Sequence, residues 1–391
     1  MGSDPGVSMH FSKVTAMRNP RLDLLRFAAI ALVLGSHFLG LAQAIPGYLG
    51  VILRLWENGG WIGVDLFFVL SGFLVTRILL DEFIATGQVK LGRFLLRRGF
   101  KIYPPFYFFT VVATVLFIGE DQFSGPRLFS ELFFLQNYFV GRWVLPVGIP
   151  VYPGQLVVGI IDQAQWSLAV EEHFYLILGF ILLALVKKRK TNFFPAICVI
   201  IATLSFLLRI YYALSHEVGV FGPATTWTQF RLDSLFLGAI LAYSFSYHRE
   251  AFDSFAKRWW PPMSAMACLG YLPFFMLQRT INPQLLVTYG STLLSLSSGC
   301  LVVAALSIPE SSPVPGFFKP LAFLGRYSYG IYLWHLLVRF LIWRMGVQVL
   351  GAEPIPLVSI DLYLVLSLAV GVGASFLVEV PFLKFRDRYI A

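Results

Sequence analysis

The chain has 391 residues, of which 57% are apolar, 16% aromatic and only 13% charged, where a soluble protein carries about 25% charge. A mean hydropathy of +0.73 is spread over many apolar stretches, each near the ~20 residues needed to cross about 30 Å of hydrocarbon. That pattern excludes a soluble enzyme, a secreted disulfide scaffold, a disordered chain and a nucleic-acid binder, and leaves a polytopic membrane protein. Cys198, Cys268 and Cys300 lie in or beside apolar stretches, and no pairing can be read from them.

Residues 1–20 are polar and mixed, without the charged start and cleavage site of a signal peptide. Residues 21–388 read as a single membrane domain with no appended soluble domain. Apolar windows predict an all-α bundle of about ten transmembrane helices, near 22–45, 61–80, 102–119, 166–186, 193–213, 229–247, 261–277, 285–307, 321–345 and 357–380. Pro261, Pro262, Pro273 and Pro283 are positioned to start, kink or end helices among the sixth, seventh and eighth. With the N-terminus in the cytoplasm, that side collects about 20 Lys and Arg, from Lys13, Arg18 and Arg21 through the Lys187–Lys190 run to Arg388. The opposite side holds only Arg54, Arg127, Arg142, Arg279 and Arg344. This bias predicts that both termini are cytoplasmic and that most of the net charge of +9 is topology. The longest outside segment, 120–165, contains an amphipathic stretch from Phe129 to Phe139 and a Pro/Gly-rich loop from Pro146 to Pro153.

An ionisable side chain inside a span costs several kcal/mol and is by default a site hypothesis. The first helix carries Asp23, Arg26 and His37. Eleven steps of 100° bring His37 to within about 20° of Arg26, with Asp23 on the same side, so one stripe offers a carboxylate, a guanidinium and a deeper imidazole. The bland alternative is a packing histidine above a local Asp23–Arg26 pair. Asp65, in the second helix, needs a partner, while Gly63, Ser71 and Gly72 around it are small enough for close helix approach. The third helix opens with Arg97, Arg98 and Lys101. These read either as interfacial cations or as a phosphate clamp, because Arg offers a planar donor fork and Lys a point charge.

The fourth helix places Glu171, Glu172 and His173 ahead of continuous apolar sequence, and at 100° per residue the two carboxylates cannot face one partner. Arg209, Arg231 with Asp233, His335 with Arg339 four residues on, and Glu379 each read individually as members of structural ion pairs. No metal-ligand spacing, Gly-rich phosphate loop or nucleophile elbow is present. One intramembrane imidazole with cations at the cytoplasmic mouth suits base or nucleophilic catalysis on a phosphorylated donor. A transporter that relays protons through His and Glu accounts for the same residues equally well.

Seven segments, in order, carry a resemblance. They are Arg21-Leu-Asp-Leu-Leu-Arg26 with ten residues to His37, Gly63 to Leu74, and Arg97-Arg98-Gly-Phe-Lys101-Ile-Tyr-Pro104. Trp166 to Tyr175, Arg231 to Gly238, Leu324 to His335 and Glu379-Val-Pro381 complete the series. Together they resemble the acyltransferase-3 family of integral-membrane O-acyltransferases that modify carbohydrates and other hydroxyl compounds. The resemblance implies that Arg26 and His37 form the family's Arg-x10-His motif, with His37 central to acyl transfer. Arg98 and Lys101 fall on its Arg-x-x-Arg motif, with Lys replacing the second Arg and giving up bidentate geometry. Glu171 and Glu172 fall on family carboxylates, and His173 stands where Gln is usual.

The expectation that follows is an O-acyltransferase of the cytoplasmic (inner) membrane with no bound cofactor or metal. Acyl-CoA, as acetyl-CoA, is the donor, met by Arg97, Arg98 and Lys101. His37, Arg26, Glu171 and Glu172 do the chemistry, with His37 as base or acyl carrier. Asp23, Asp65, His173, Arg231, Asp233 and His335 form a supporting network. The acceptor is a hydroxyl of an envelope carbohydrate or its lipid-linked precursor. A macrolide-like natural product is an alternative acceptor, and a transporter of acyl groups or lipid-linked sugars is the alternative from another class. The oligomeric state cannot be read from the sequence.

Overall fold

The structure, a computed structural model, describes residues 19–38, 40–117, 125–139, 157–219, 221–277, 280–309, 312–346 and 355–389. The described residues are all-helical, without a strand. Lys13, Arg18, Arg142, Arg279, the Pro146–Pro153 loop and nearly all of the 1–20 segment lie outside them, as does the Arg127 side chain.

Helix α1 spans Pro20–Ser36. Its start is written in the sequence, because the Asn19 side chain accepts the Arg21 N–H at 3.0 Å and Pro20 stands in the first turn. The helix was expected to run to residue 45 but stops at Ser36, with His37 as its C-cap. Gly40 follows at φ 84°, a left-handed turn that a residue with a Cβ adopts only at a cost, and it redirects the chain. A separate amphipathic helix, α2 (Gly47–Gly59), then precedes α3 (Gly63–Thr86).

Helix α4 (Leu91–Phe117) contains Pro104 and Pro105 and starts eleven residues before the expected 102. After the short α5 (Gly125–Leu132) come α6 (Val157–Lys187), α7 (Phe194–Ser215), α8 (Leu232–Tyr247) and α9 (Arg249–Met276). Helix α9 runs through Pro261, Pro262 and Pro273, whereas Pro283 does start a helix, capped by the Asn282 side chain. The chain closes with α10 (Ser291–Leu306), α11 (Lys319–Arg326), α12 (Ser328–Arg344), α13 (Pro356–Ala374) and α14 (Val380–Tyr389).

Six helical segments are long and apolar enough to cross a membrane: Gly47–Thr86, Leu91–Leu116, Ala164–Lys187, Thr191–Ser215, Pro283–Leu306 and Pro356–Tyr389. The remaining expected spans are helical as well, but α1 has 17 residues and α8 has 16, while α11 and α12 are separated at Tyr327. A 17-residue helix rises only about 26 Å.

Burial separates interior from periphery. The span containing α3 is 67% buried and that of α7 only 22%. Leu204, Leu207, Leu208, Tyr211 and Leu214 of α7 are exposed, the apolar face expected toward lipid. Helices α3 and α8 cross closely, and glycine permits it on both sides. A Cβ at Gly72 would overlap the Leu235 carbonyl, and one at Gly238 would overlap the Val69 carbonyl.

A buried polar network ties this crossing to α7 and α10. Arg231 reaches Asp65 at 2.6 Å. Arg209 binds Asp233 at 2.7 Å and Thr292 Oγ1 at 2.6 Å. The sequence reading grouped Arg231 with Asp233, and the structure redistributes them. Two residues at the head of α8 differ by about 200° around the axis, so each takes a partner on a different neighbour.

Candidate active site

The site is a cleft enclosed by α1, α3, α4, α6, α11 and α12. Arg26, Arg98, Lys101 and Arg326 line it together with Ser71, Glu171, Glu172, Tyr175, Tyr329 and Tyr332. Four cations from three separate helices therefore meet in one space with two carboxylates.

The carboxylates diverge as their spacing requires. Glu171 accepts from Ser71 Oγ at 2.8 Å and from the Tyr175 hydroxyl at 2.6 Å. Glu172 accepts from the Tyr103 hydroxyl at 3.0 Å, and its other oxygen is buried with no hydrogen-bond partner among the described residues. The Arg98 guanidinium lies 5.2 Å from the centroid of the Tyr175 ring, a cation–π distance. Arg98, Tyr175, Glu171 and Ser71 thus form one continuous chain of contacts across α4, α6 and α3. Arg26 sits 3.4 Å from Asp23 on its own helix.

Prolines shape the cleft wall as well. Pro104 and Pro105 have no N–H, so the carbonyls four residues earlier, on Phe100 and Lys101, lose their helical donors. The adjacent Ile102 carbonyl accepts the Tyr329 hydroxyl at 2.9 Å, which joins α4 to α12 across the mouth.

His37 does not line the cleft. Because α1 ends one residue earlier, its ring leaves the stripe that carries Arg26. It packs edge-on against His335 of α12, ring centroids 4.9 Å apart. His335 in turn lies 5.6 Å from the ring of Tyr332, which lines the cleft. The Tyr332 hydroxyl is held by Ser167 Oγ at 2.7 Å and the Ala164 carbonyl at 2.5 Å. The order is therefore cleft, Tyr332, His335, His37.

Both imidazoles have a defined tautomer. His37 Nδ1 is 2.8 Å from the Val33 carbonyl, and His335 Nδ1 is 2.5 Å from the Tyr332 carbonyl. A carbonyl only accepts, so each Nδ1 carries the proton and each Nε2 presents a lone pair.

Of the other residues singled out in the sequence, Arg97 points away from the cleft and lies 3.8 Å from Asp387, one residue and 100° round the helix from Arg98. His173 is bound through Nδ1 to Thr228 Oγ1 at 2.6 Å and stacks on Tyr138, apart from the cleft. Asp65, Arg231 and Asp233 belong to the buried α3–α8 network rather than to the lining. Arg326, Tyr332, Tyr175 and Ser71 were not singled out as site residues. Arg326 and Tyr332 fall inside the Leu324–His335 segment, and Tyr175 and Ser71 inside two of the others. The signal was an unassigned cation and three hydroxyls within those motifs.

This arrangement fits a group transfer, since a cation-lined cleft, a tyrosine of its wall and a pair of imidazoles follow one another through the bundle. The acyltransferase domain family (acyltransferase-3) matches residues 19–380, and the chain belongs to that family of membrane acyltransferases. Among its relatives, the peptidoglycan O-acetyltransferase OatA of Listeria monocytogenes is 28% identical over 323 residues, 81% of this chain and 48% of the relative. The O-acetyltransferase OatA of Staphylococcus aureus strain NCTC 8325 is 26% identical over 337 residues, 83% of this chain and 52% of its own length. A Staphylococcus aureus strain MRSA252 relative is 28% identical over 405 residues, 97% of this chain and 61% of the relative. The chain therefore spans about half to three-fifths of the length of these relatives. No solved structure matches it.

Proposed function

We propose that the chain is an O-acetyltransferase that moves an acetyl group from acetyl-CoA at the cytoplasmic face to a hydroxyl of an envelope carbohydrate, with His37 as the base. In this reading the bundle has about ten spans with both termini in the cytoplasm of a bacterial inner membrane. The observation that carries it is the succession just described: four cations lining the cleft, and two imidazoles, each with Nδ1 on a carbonyl, in series behind Tyr332.

Phosphates of the donor meet Arg98, Lys101, Arg26 and Arg326. A guanidinium offers a planar fork to phosphate oxygens, and Lys101 adds a flexible point charge. The thioester end extends past Tyr332 to the His335–His37 pair. His37 Nε2 takes the proton of the acceptor hydroxyl as its oxygen bonds to the thioester carbon. The carbon–sulfur bond then breaks, and the departing thiolate receives that proton from the imidazolium. Glu171, held by Ser71 and Tyr175, balances the cationic mouth. Arg97 has no part in donor binding in this reading, because it faces Asp387. The relatives named for peptidoglycan make glycan strands of the cell wall the first acceptor to test.

Base assistance by a positioned side chain contributes about 10²–10⁴-fold. Purified protein given radiolabelled acetyl-CoA and envelope glycan strands should label the glycan, and His37→Ala should lose label by that factor while eluting normally from a sizing column. Undiminished labelling by His37→Ala would remove His37 from the chemistry.

A further inference from the structure

Arg21 opens the first motif segment but does not line the cleft. Its side chain is buried, with the residue 7% exposed, and it reaches backbone 288 residues further along the chain. Nη1 donates to the Pro309 carbonyl at 2.9 Å and Nη2 to the Ser312 carbonyl at 2.7 Å. The Ser312 N–H itself donates to the Pro309 carbonyl at 3.0 Å. One guanidinium therefore holds two backbone groups that also hold each other, a task suited to its planar fork of donors. Both carbonyls belong to the connection between α10 and α11.

That connection leads to Arg326. Residues 313–318 separate Ser312 from the start of α11 at Lys319, and they include Pro313 and Pro315. Proline fixes φ near −65°, so a position set at Ser312 is passed on to the helix. Helix α11 has only eight residues, and helices shorter than about 12–15 residues are marginal by themselves. Its place is set by its neighbours. Tyr327 joins one end to α12, and the grip of Arg21 fixes the approach to the other. Between them Gly325 lies directly on α1, where a Cβ would overlap the Asp23 carbonyl. The next residue is Arg326, the cation that α11 supplies to the cleft.

We propose that Arg21 is a positioning residue for the donor: it holds the α10–α11 connection against α1 and so seats Arg326 in the cleft, alongside Arg26, to meet a phosphate of acetyl-CoA. This rests on the acetyltransferase reading above and adds to it. Arg21 touches no substrate, and no bond-making step passes through it. A residue that merely fastened the fold would weaken donor and acceptor binding together, whereas one that acts through Arg326 affects the donor alone.

The test compares Arg21→Met, Arg326→Gln and the double variant in detergent-purified full-length protein. Equilibrium binding of acetyl-CoA is measured beside kcat and the KM for envelope glycan strands. Arg326→Gln should weaken acetyl-CoA binding about tenfold or more, the range of a hydrogen bond to a charged group. Arg21→Met should weaken it similarly and leave kcat and the glycan KM within about twofold. Arg21→Lys, able to reach one of the two carbonyls, should recover part of the loss. The double variant should bind no more weakly than Arg326→Gln alone, because effects that pass through one contact do not add. Gly325→Ala, which pushes α11 away from α1, should reproduce the loss, and it carries the test where Arg21→Met elutes as aggregate. The positioning role falls, while the acetyltransferase reading stands, if the folded variants bind acetyl-CoA as wild type does. It falls equally if the losses multiply in the double variant, or if donor binding and glycan KM worsen together. A wild-type protein that binds no acetyl-CoA would remove both.

Discussion

At the scale of the residue, the most demanding contact is the one between Asp65 and Arg231, 2.6 Å apart and almost wholly buried. Removing one member of a buried pair leaves the other without compensation, at a cost of about 3–5 kcal/mol, whereas replacing both with apolar residues of similar volume is often neutral. Asp65→Leu should therefore sharply lower the unfolding temperature in micelles, and Asp65→Leu combined with Arg231→Met should recover most of it. Equal losses in the single and double variants would show that the pair is not coupled. Much of this scale was legible in the sequence. Asp65 was seen to need a partner, and the divergence of Glu171 and Glu172 followed from 100° per residue. Asp65's partner was not legible, since Arg231 lies 166 residues away and chain proximity favoured Asp233. Arg326 escaped because a lone arginine at a helix end looks like any interfacial cation.

At the scale of the element, hydropathy located the apolar part of each helix better than its ends. Helix α4 was expected from residue 102, just after its cations, because a charge reads as the membrane boundary. It starts at Leu91, so Arg98 and Lys101 project from helical turns and are aimed by them. The reverse error affects α1, where apolar sequence continues past Ser36 but the backbone turns at Gly40. That local stop moves His37 from the Arg26 stripe to the neighbourhood of His335. The Gly72–Gly238 crossing of α3 and α8 was half legible, since Gly72 was marked as small enough for packing. Gly72→Val would drive a side chain into the Leu235 carbonyl. Overpacking of this kind costs about 1–3 kcal/mol, so the variant should melt earlier than wild type, and an unchanged melting curve would contradict the close crossing. Tyr332→Phe belongs to this scale as well. It removes the hydroxyl contacts to Ser167 and Ala164 that join α12 to α6, and a hydrogen bond contributes about 0.5–1.5 kcal/mol net. A small fall in melting temperature is the expected outcome, and glycan labelling measured beside it reports how firmly the ring must be held.

At the scale of the whole molecule, the distribution of polar groups gives the bundle two chemically different compartments. Cations gather where α1, α4 and α11 meet, and the lone-pair nitrogens gather where α1 ends against α12. Composition alone established the membrane class and the helical architecture. It could not establish these compartments, because each is assembled from helices distant in sequence and neither has a local signature longer than a few residues.

The Asp65–Arg231 contact also has a consequence for how the protein is made. Ribosomes add about 5–20 residues per second, so roughly 10–30 s pass between the synthesis of Asp65 and that of Arg231. During that interval α3 has a carboxylate whose partner does not yet exist, and a lone charge in a span costs several kcal/mol. The nascent helix must wait at the insertion machinery, or be shielded by it, until α8 arrives. A chain truncated at residue 220 should accordingly integrate poorly into microsomes and gain from Asp65→Leu, while the full-length chain loses stability from that same substitution. One side chain would then be a liability early in synthesis and a fastening at its end.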